Sequence, residues 1–151
     1  MNRKIKQFIK SEVTRQGFVP GTFNHAQRCV WMEVAWTGAQ RWAQEQPLPS
    51  YEDVISFGEL VEPGRNISCP RKCRVMVGGR ECPPAEEVPR LLKGWLEALP
   101  RLTPDEAYKE FELIHPFVDG NGRVGKIIHN WLNRTLDDPV LVQDFFGQGI
   151  P

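Results

Sequence analysis

The chain has 151 residues, 40% of them hydrophobic and 25% charged, with 19 basic side chains balancing 19 acidic ones. That is enough for one domain around a single core, and zero net charge excludes a whole-domain attraction to nucleic acid or to a membrane. No apolar run approaches the ~18 residues of a membrane span, and the basic start MNRKIKQFIK lacks the apolar stretch of a secretion signal. The expected location is the cytoplasm, or another cell if the protein is delivered as an effector.

In chain order, Ile5, Phe8, Ile9 and Val13 predict a short amphipathic helix over Lys4 to Arg15, ending near Gly17. From about His25 to Glu45, helix formers carry Val30, Trp31, Val34, Ala35 and Trp42 at helical spacing, a stripe read as core. Pro47 and Pro49 close it. Ser50 or Tyr51 to Leu60 predicts another helix, stopped by Pro63-Gly64.

Helical periodicity then lapses. Within about 66–83, the stretch CRVMVGGREC reads as two short strands around Gly78-Gly79, a pair that accepts positive φ. Cys69, Cys73 and Cys82 cluster here, but their spacing is unlike the paired ligands of a zinc site, so free thiols are expected. Beyond Pro83-Pro84, Val88, Leu91, Leu92, Trp95, Leu96 and Leu99 trace one helical face. Thr103-Pro104-Asp105-Glu106 then supplies an N-cap, a first-turn proline and a capping acid. The helix it starts carries Ala107, Tyr108, Phe111 and Ile114, and a last one carries Val124, Ile127, Ile128, Trp131 and Leu132. The expected fold is a single, mostly helical domain, 1–151, with one β-hairpin.

Between the last two helices lies IHPFVDGNGRVGK, from Ile114 to Lys126. Gly120 and Gly122 let successive N–H groups point inward, and the following helix adds its unpaired N–H groups and positive dipole end. This is an anion site of the kind that holds phosphate. Arg123 and Lys126, three residues apart, share a helical face and can reach one phosphate chain. His115 suits proton abstraction from a hydroxyl, and Asp119 beside a phosphate cradle suits Mg²⁺. Taken singly, GNGR is a helix connection, His115 a core histidine and Asp119 a cap. Together within the loop 115–122 they describe transfer from a nucleotide to a hydroxyl.

HPFVDGNGR resembles the signature of the Fic family, H-P-F-x-(D/E)-G-N-G-R-x-x-R, over nine consecutive positions. Looser similarity runs from about Val61 to Leu136, with an upstream hairpin where Fic proteins have a substrate-positioning flap. The resemblance implies a Fic-like helical fold and transfer of AMP from ATP to a Ser, Thr or Tyr hydroxyl of a target protein. His115 would be the base, Asp119 the Mg²⁺ carboxylate, and Gly120, Asn121 and Gly122 the anion hole. Arg123 would neutralise the departing phosphates, and Pro116 and Phe117 would shape the turn. The target would add a strand to the hairpin at about Val75 to Val77.

Two departures qualify this. Lys126 replaces the last motif arginine, which keeps the charge and loses the planar two-pronged contact. That leaves open phosphate transfer, transfer of another nucleotide-linked group, or a nucleotide-binding module without turnover. Many Fic proteins also carry an inhibitory (S/T)-x-x-x-E-(G/N) helix. Here Ser11, Thr14, Thr37, Ser50, Ser56 and Thr103 all lack a glutamate four residues on. Restraint would then come from a separate inhibitor, as in a toxin with its antitoxin, or be absent, as in an effector.

Overall fold

A computed structural model describes residues 1–142. Helix α1 (Arg3–Arg15) starts where Asn2 accepts a hydrogen bond from the Ile5 N–H, and is capped at Gln16. Its inward face holds Ile5, Ile9 and Val13 and also an acid, Glu12. Helix α2 (Phe23–Glu45) is capped by Thr22. Its buried face matches the expected stripe only in part: Ala35 is buried and Trp42 packs against the core, but Val30 and Val34 are 57% and 51% exposed, while Met32, Trp36 and Ala39 are buried. The helix is apolar on more than one side, and Trp36 decides which side turns inward. Its ring lies 5.5 Å from that of Phe8, and its indole N–H donates to the Leu136 carbonyl at 2.9 Å.

Helix α3 (Tyr51–Val61) opens on a reciprocal capping box between Ser50 and Asp53. Gly58 in this helix lies against the ring of Phe117, which is fully buried. A Cβ at Gly58 would stand 2.3 Å from the ring. Gly58→Ala is therefore expected to destabilise the fold by about 3 kcal/mol, the upper end of overpacking costs. A urea midpoint equal to that of the unmodified protein would contradict this packing.

The stretch after α3 forms the expected hairpin. Strands β1 (Met76–Val77) and β2 (Arg80–Glu81) pair antiparallel, with Met76 opposite Glu81 and Val77 opposite Arg80. Gly78 and Gly79 between them have φ of 57° and 77°, the two positive angles that a two-residue hairpin turn demands. Helix α4 (Val88–Ala98) follows a single 3-10 turn. Helix α5 (Pro104–Ile114) then begins at the Thr103/Glu106 capping box, with Pro104 in its first turn. Trp95 ties the two helices by donating to the Ala107 carbonyl at 2.9 Å.

Helix α6 (Asn121–Leu132) runs through the middle, buried from Asn121 to Trp131, with α5, α2 and α3 packed around it. A mostly helical fold with one hairpin results. No helix among the described residues is long and apolar enough to cross a membrane.

Candidate active site

The site is the joint between α5 and α6. His115 caps α5 in the left-handed conformation, at φ 51° and ψ 64°, its N–H still bonded to the Phe111 carbonyl at 3.0 Å. Few residues other than glycine adopt this geometry, and histidine is among the more tolerant. The turn is pinned from outside by Arg71, which is 1% exposed. Its Nε donates to the His115 carbonyl at 2.6 Å, its Nη2 to those of Ile114 and Pro83, and its Nη1 to that of Cys73. One guanidinium thus closes the α5 C-terminus and fastens the hairpin segment to it.

The His115 ring is buried, and its Nδ1 has no hydrogen-bond partner. Burial pulls its pKa down to about 4, with Arg71 adding to the effect and the Glu112 backbone and Asp119 opposing it. The ring is therefore neutral at pH 7, the state that accepts a proton. Because the folded pKa lies below the ordinary 6.5, the stability that neutral burial confers is complete above 6.5 and is lost as pH falls through 4. The expected loss is on the order of 3 kcal/mol. Melting temperature should fall more steeply with acid for the native protein than for His115→Asn; parallel curves would contradict this assignment.

The rest of the loop is held by two asparagines. The Asn121 side chain is fully buried and clamps the turn, its Oδ1 accepting from the Phe117 N–H and its Nδ2 donating to the Phe117 carbonyl, both at 2.9 Å. Its amide is thus committed to loop shape, which leaves its backbone N–H for any anion. Asn66 makes the second clamp, donating to the carbonyls of Gly58 and Asp119 and accepting from the Asp119 N–H.

Asp119 presents a carboxylate whose Oδ1 accepts from the Gly120 N–H at 2.8 Å and whose Oδ2 is met by Arg65 at 3.1 Å. Gly120 has φ 80°, and a Cβ there would lie 2.8 Å from the Val61 side chain, so both conformation and space require glycine. No side chain caps α6. Its first N–H groups, at Asn121, Gly122 and Arg123, therefore face the loop with no intrahelical acceptor.

The two motif cations are placed differently from the open pair that their spacing suggests. Arg123 is fully buried; its Nη2 donates to Glu62 at 3.0 Å and its Nη1 to the Val61 carbonyl. Glu62 also takes Arg28 at 2.8 Å, so one carboxylate holds two guanidiniums. Lys126 is fully buried too, its Nζ 3.0 Å from Glu12 and 5.2 Å from the centre of the Tyr108 ring. Glu12 is in turn paired with Arg15. Paired burial of this kind is how a protein keeps charges inside.

Sequence reading missed Glu12, Glu62, Asn66 and Arg71. Glu12 did leave a trace, because Ile5, Ile9 and Glu12 share one helical face, and an acid there needs a buried cation. Asn66 and Arg71 lie where no periodicity guides a reading. The four cysteines are free thiols, and among the described residues no three His, Cys, Asp or Glu side chains converge as a metal site.

The sequence profile of the Fic/DOC family matches residues 50–132. No curated protein matches the chain. Among solved structures, Fic-1 from C. elegans is similar with a TM-score of 0.74 at 17% identity, covering 94% of this chain and 51% of that one. A Fic domain containing signaling protein from Bacteroides thetaiotaomicron gives 0.69 at 15% identity, over 93% and 68%. A Fic family protein from Desulfovibrio desulfuricans gives 0.59 at 23% identity, over 87% and 46%. At such identities the likeness is one of fold. The chain spans about half the length of the C. elegans and Desulfovibrio structures.

Proposed function

Because the chain belongs to the Fic/DOC family, we propose that the joint between α5 and α6 transfers AMP from ATP to a hydroxyl side chain of a target protein. Family members of this kind are generally nucleotidyl transferases. The observation that carries the reading here is His115, a buried, neutral ring with an unpartnered Nδ1, held in a left-handed cap next to an uncapped helix N-terminus.

The phosphates would lie against the first turn of α6, where Asn121 and Gly122 offer backbone N–H groups, the positive φ of Gly120 shapes the entry, and the helix dipole favours anions. His115 would take the proton of the target hydroxyl. The hydroxyl oxygen would bond to the α-phosphorus as the bond from that phosphorus to the bridging oxygen of the β-phosphate breaks, and pyrophosphate would leave. Arg123, anchored by Glu62, puts fixed positive charge beside this turn, where it needs no reorganisation during reaction.

Asp119 fits a divalent cation, being a hard oxygen donor whose partner Arg65 is 59% exposed and so inexpensive to displace. Mg²⁺ bound there would neutralise phosphate charge. A target segment would pair with the hairpin, where Met76 is 59% exposed and Val77 buried.

A second reading is phosphate transfer, or transfer of another nucleotide-linked group, through the same joint. The burial of Lys126 against Glu12 favours it, since the cation expected at the terminal phosphate is engaged elsewhere. The two separate by labelling. Purified protein is incubated with cell extract and ATP labelled at either the α- or the γ-phosphate, beside His115→Asn. Label from the α position alone supports AMP transfer, and label from γ supports phosphate transfer. No His115-dependent label from either would sink both ATP-based readings.

A further inference from the structure

At this joint the side-chain amide of Gln16 has a chemistry that the proposed reaction does not use. It caps α1 and is 8% exposed, yet neither its Nε2 nor its Oε1 has a hydrogen-bond partner. A buried amide that satisfies neither atom is costly, and native structures keep few of them. Its position explains what it lacks. Nε2 is the closest atom to the point where a Cβ on Gly122 would stand, at 2.9 Å. The amide therefore lies on the first turn of α6, which no side chain caps.

The placement is registered by a neighbouring contact. Glu12 and Gln16 are one turn apart on α1, and Gly122 and Lys126 are one turn apart on α6. Glu12 meets Lys126, and Gln16 meets Gly122. The two helices thus face each other antiparallel, and the buried ion pair fixes where the amide falls. An amide N–H set beside helix N-terminal N–H groups is a donor among donors, with a positive dipole end behind them. A group rich in lone pairs and negative charge resolves that arrangement, and a phosphate is such a group.

We propose that Gln16 is a nucleotide-positioning residue: its amide donates to a phosphate oxygen of the polyphosphate bound at the α6 N-terminus. This rests on the reading that this helix end holds the phosphates of ATP. The neutrality of the side chain is part of its role. A carboxylate of the same shape would set like charge against the phosphates in a buried setting, where repulsion is weakly screened.

Two substitutions test this by titration of the full chain with Mg-ATP, Mg-ADP and inorganic pyrophosphate, and by melting with no ligand. Gln16→Leu removes an unsatisfied amide at similar volume, so its melting temperature without ligand should equal or exceed the original. Its Kd for Mg-ATP should nonetheless rise about fivefold, the equivalent of ~1 kcal/mol. Gln16→Glu should weaken Mg-ATP and pyrophosphate further, by tenfold or more. Stability and binding moving in opposite directions is the signature that a purely structural side chain would not give. If the unmodified protein binds ATP and both variants bind it equally well, or if Gln16→Leu loses stability with binding unchanged, the assignment of Gln16 is wrong while the phosphate site stands. If the unmodified protein binds neither ATP nor pyrophosphate, the phosphate site itself is wrong and the role of Gln16 falls with it.

Discussion

Replacing His115 with asparagine is expected to lower AMP transfer by ~10²- to 10⁴-fold, the usual worth of a positioned general base, while leaving Mg-ATP affinity within about twofold on the same argument. Asparagine is the informative choice because of the backbone. At φ 51° an alanine carries strain of roughly 1–2 kcal/mol, whereas asparagine, like histidine, is among the residues that tolerate the left-handed region. A loss of activity in the alanine variant would mix a missing base with a distorted turn. In the asparagine variant the carbonyls of residues 114 and 115 can still accept from Arg71, so the hairpin keeps its anchor. Activity within tenfold of the original would remove His115 from the chemistry.

The second large effect is expected at Glu12. Glu12→Gln takes the carboxylate from a fully buried Lys126, which keeps the face of Tyr108, and also from Arg15. Breaking one side of a buried pair typically costs ~3–5 kcal/mol. For a chain of this size that corresponds to a melting temperature lower by about 10 °C. The double variant with Lys126→Met should regain most of the loss, because an apolar pair of similar volume is often as stable as the ion pair it replaces. A Glu12→Gln protein that melts with the original would mean that Lys126 has no need of Glu12.

The same substitution bears on activity. Lys126 is the position where the family's signature has its last arginine, and Glu12 holds it inside the domain. If that pair restrains the site, Glu12→Gln should raise ATP-dependent transfer per folded molecule, measured well below its melting temperature. Restraint from within the chain would then stand in place of a separate inhibitor. Unchanged or lower transfer would mean that Lys126 is a structural cation.

Much of the fold was legible because the signals were local. The Thr103-Pro104-Glu106 start, the Gly78-Gly79 turn and the apolar face from Val88 to Leu99 each depend on residues within a few positions of one another. Helix α2 shows the limit of periodicity. Val30 and Val34 satisfy helical spacing as well as Met32 and Trp36 do, and the choice between faces is made by Phe8 and Leu136, contacts distant in sequence. The site divides the same way. The nine residues from His115 to Arg123 stand together in the sequence and stand together in space. What each cation does was not readable there, because Arg123 is governed by Glu62, 61 residues away, and Lys126 by Glu12, 114 away. The part played by the Asn121 side chain was not readable either: it builds the loop by holding Phe117.

The chemical identity of the product tests AMP transfer most directly. Target protein from the labelled extract, or any self-modified chain, should be digested and its adducts identified by mass spectrometry. The expected result is AMP joined through a phosphodiester to a Ser, Thr or Tyr side chain, formed with Mg-ATP and missing when His115→Asn is used. A phosphate adduct alone, or an AMP adduct formed equally well without His115, would contradict it.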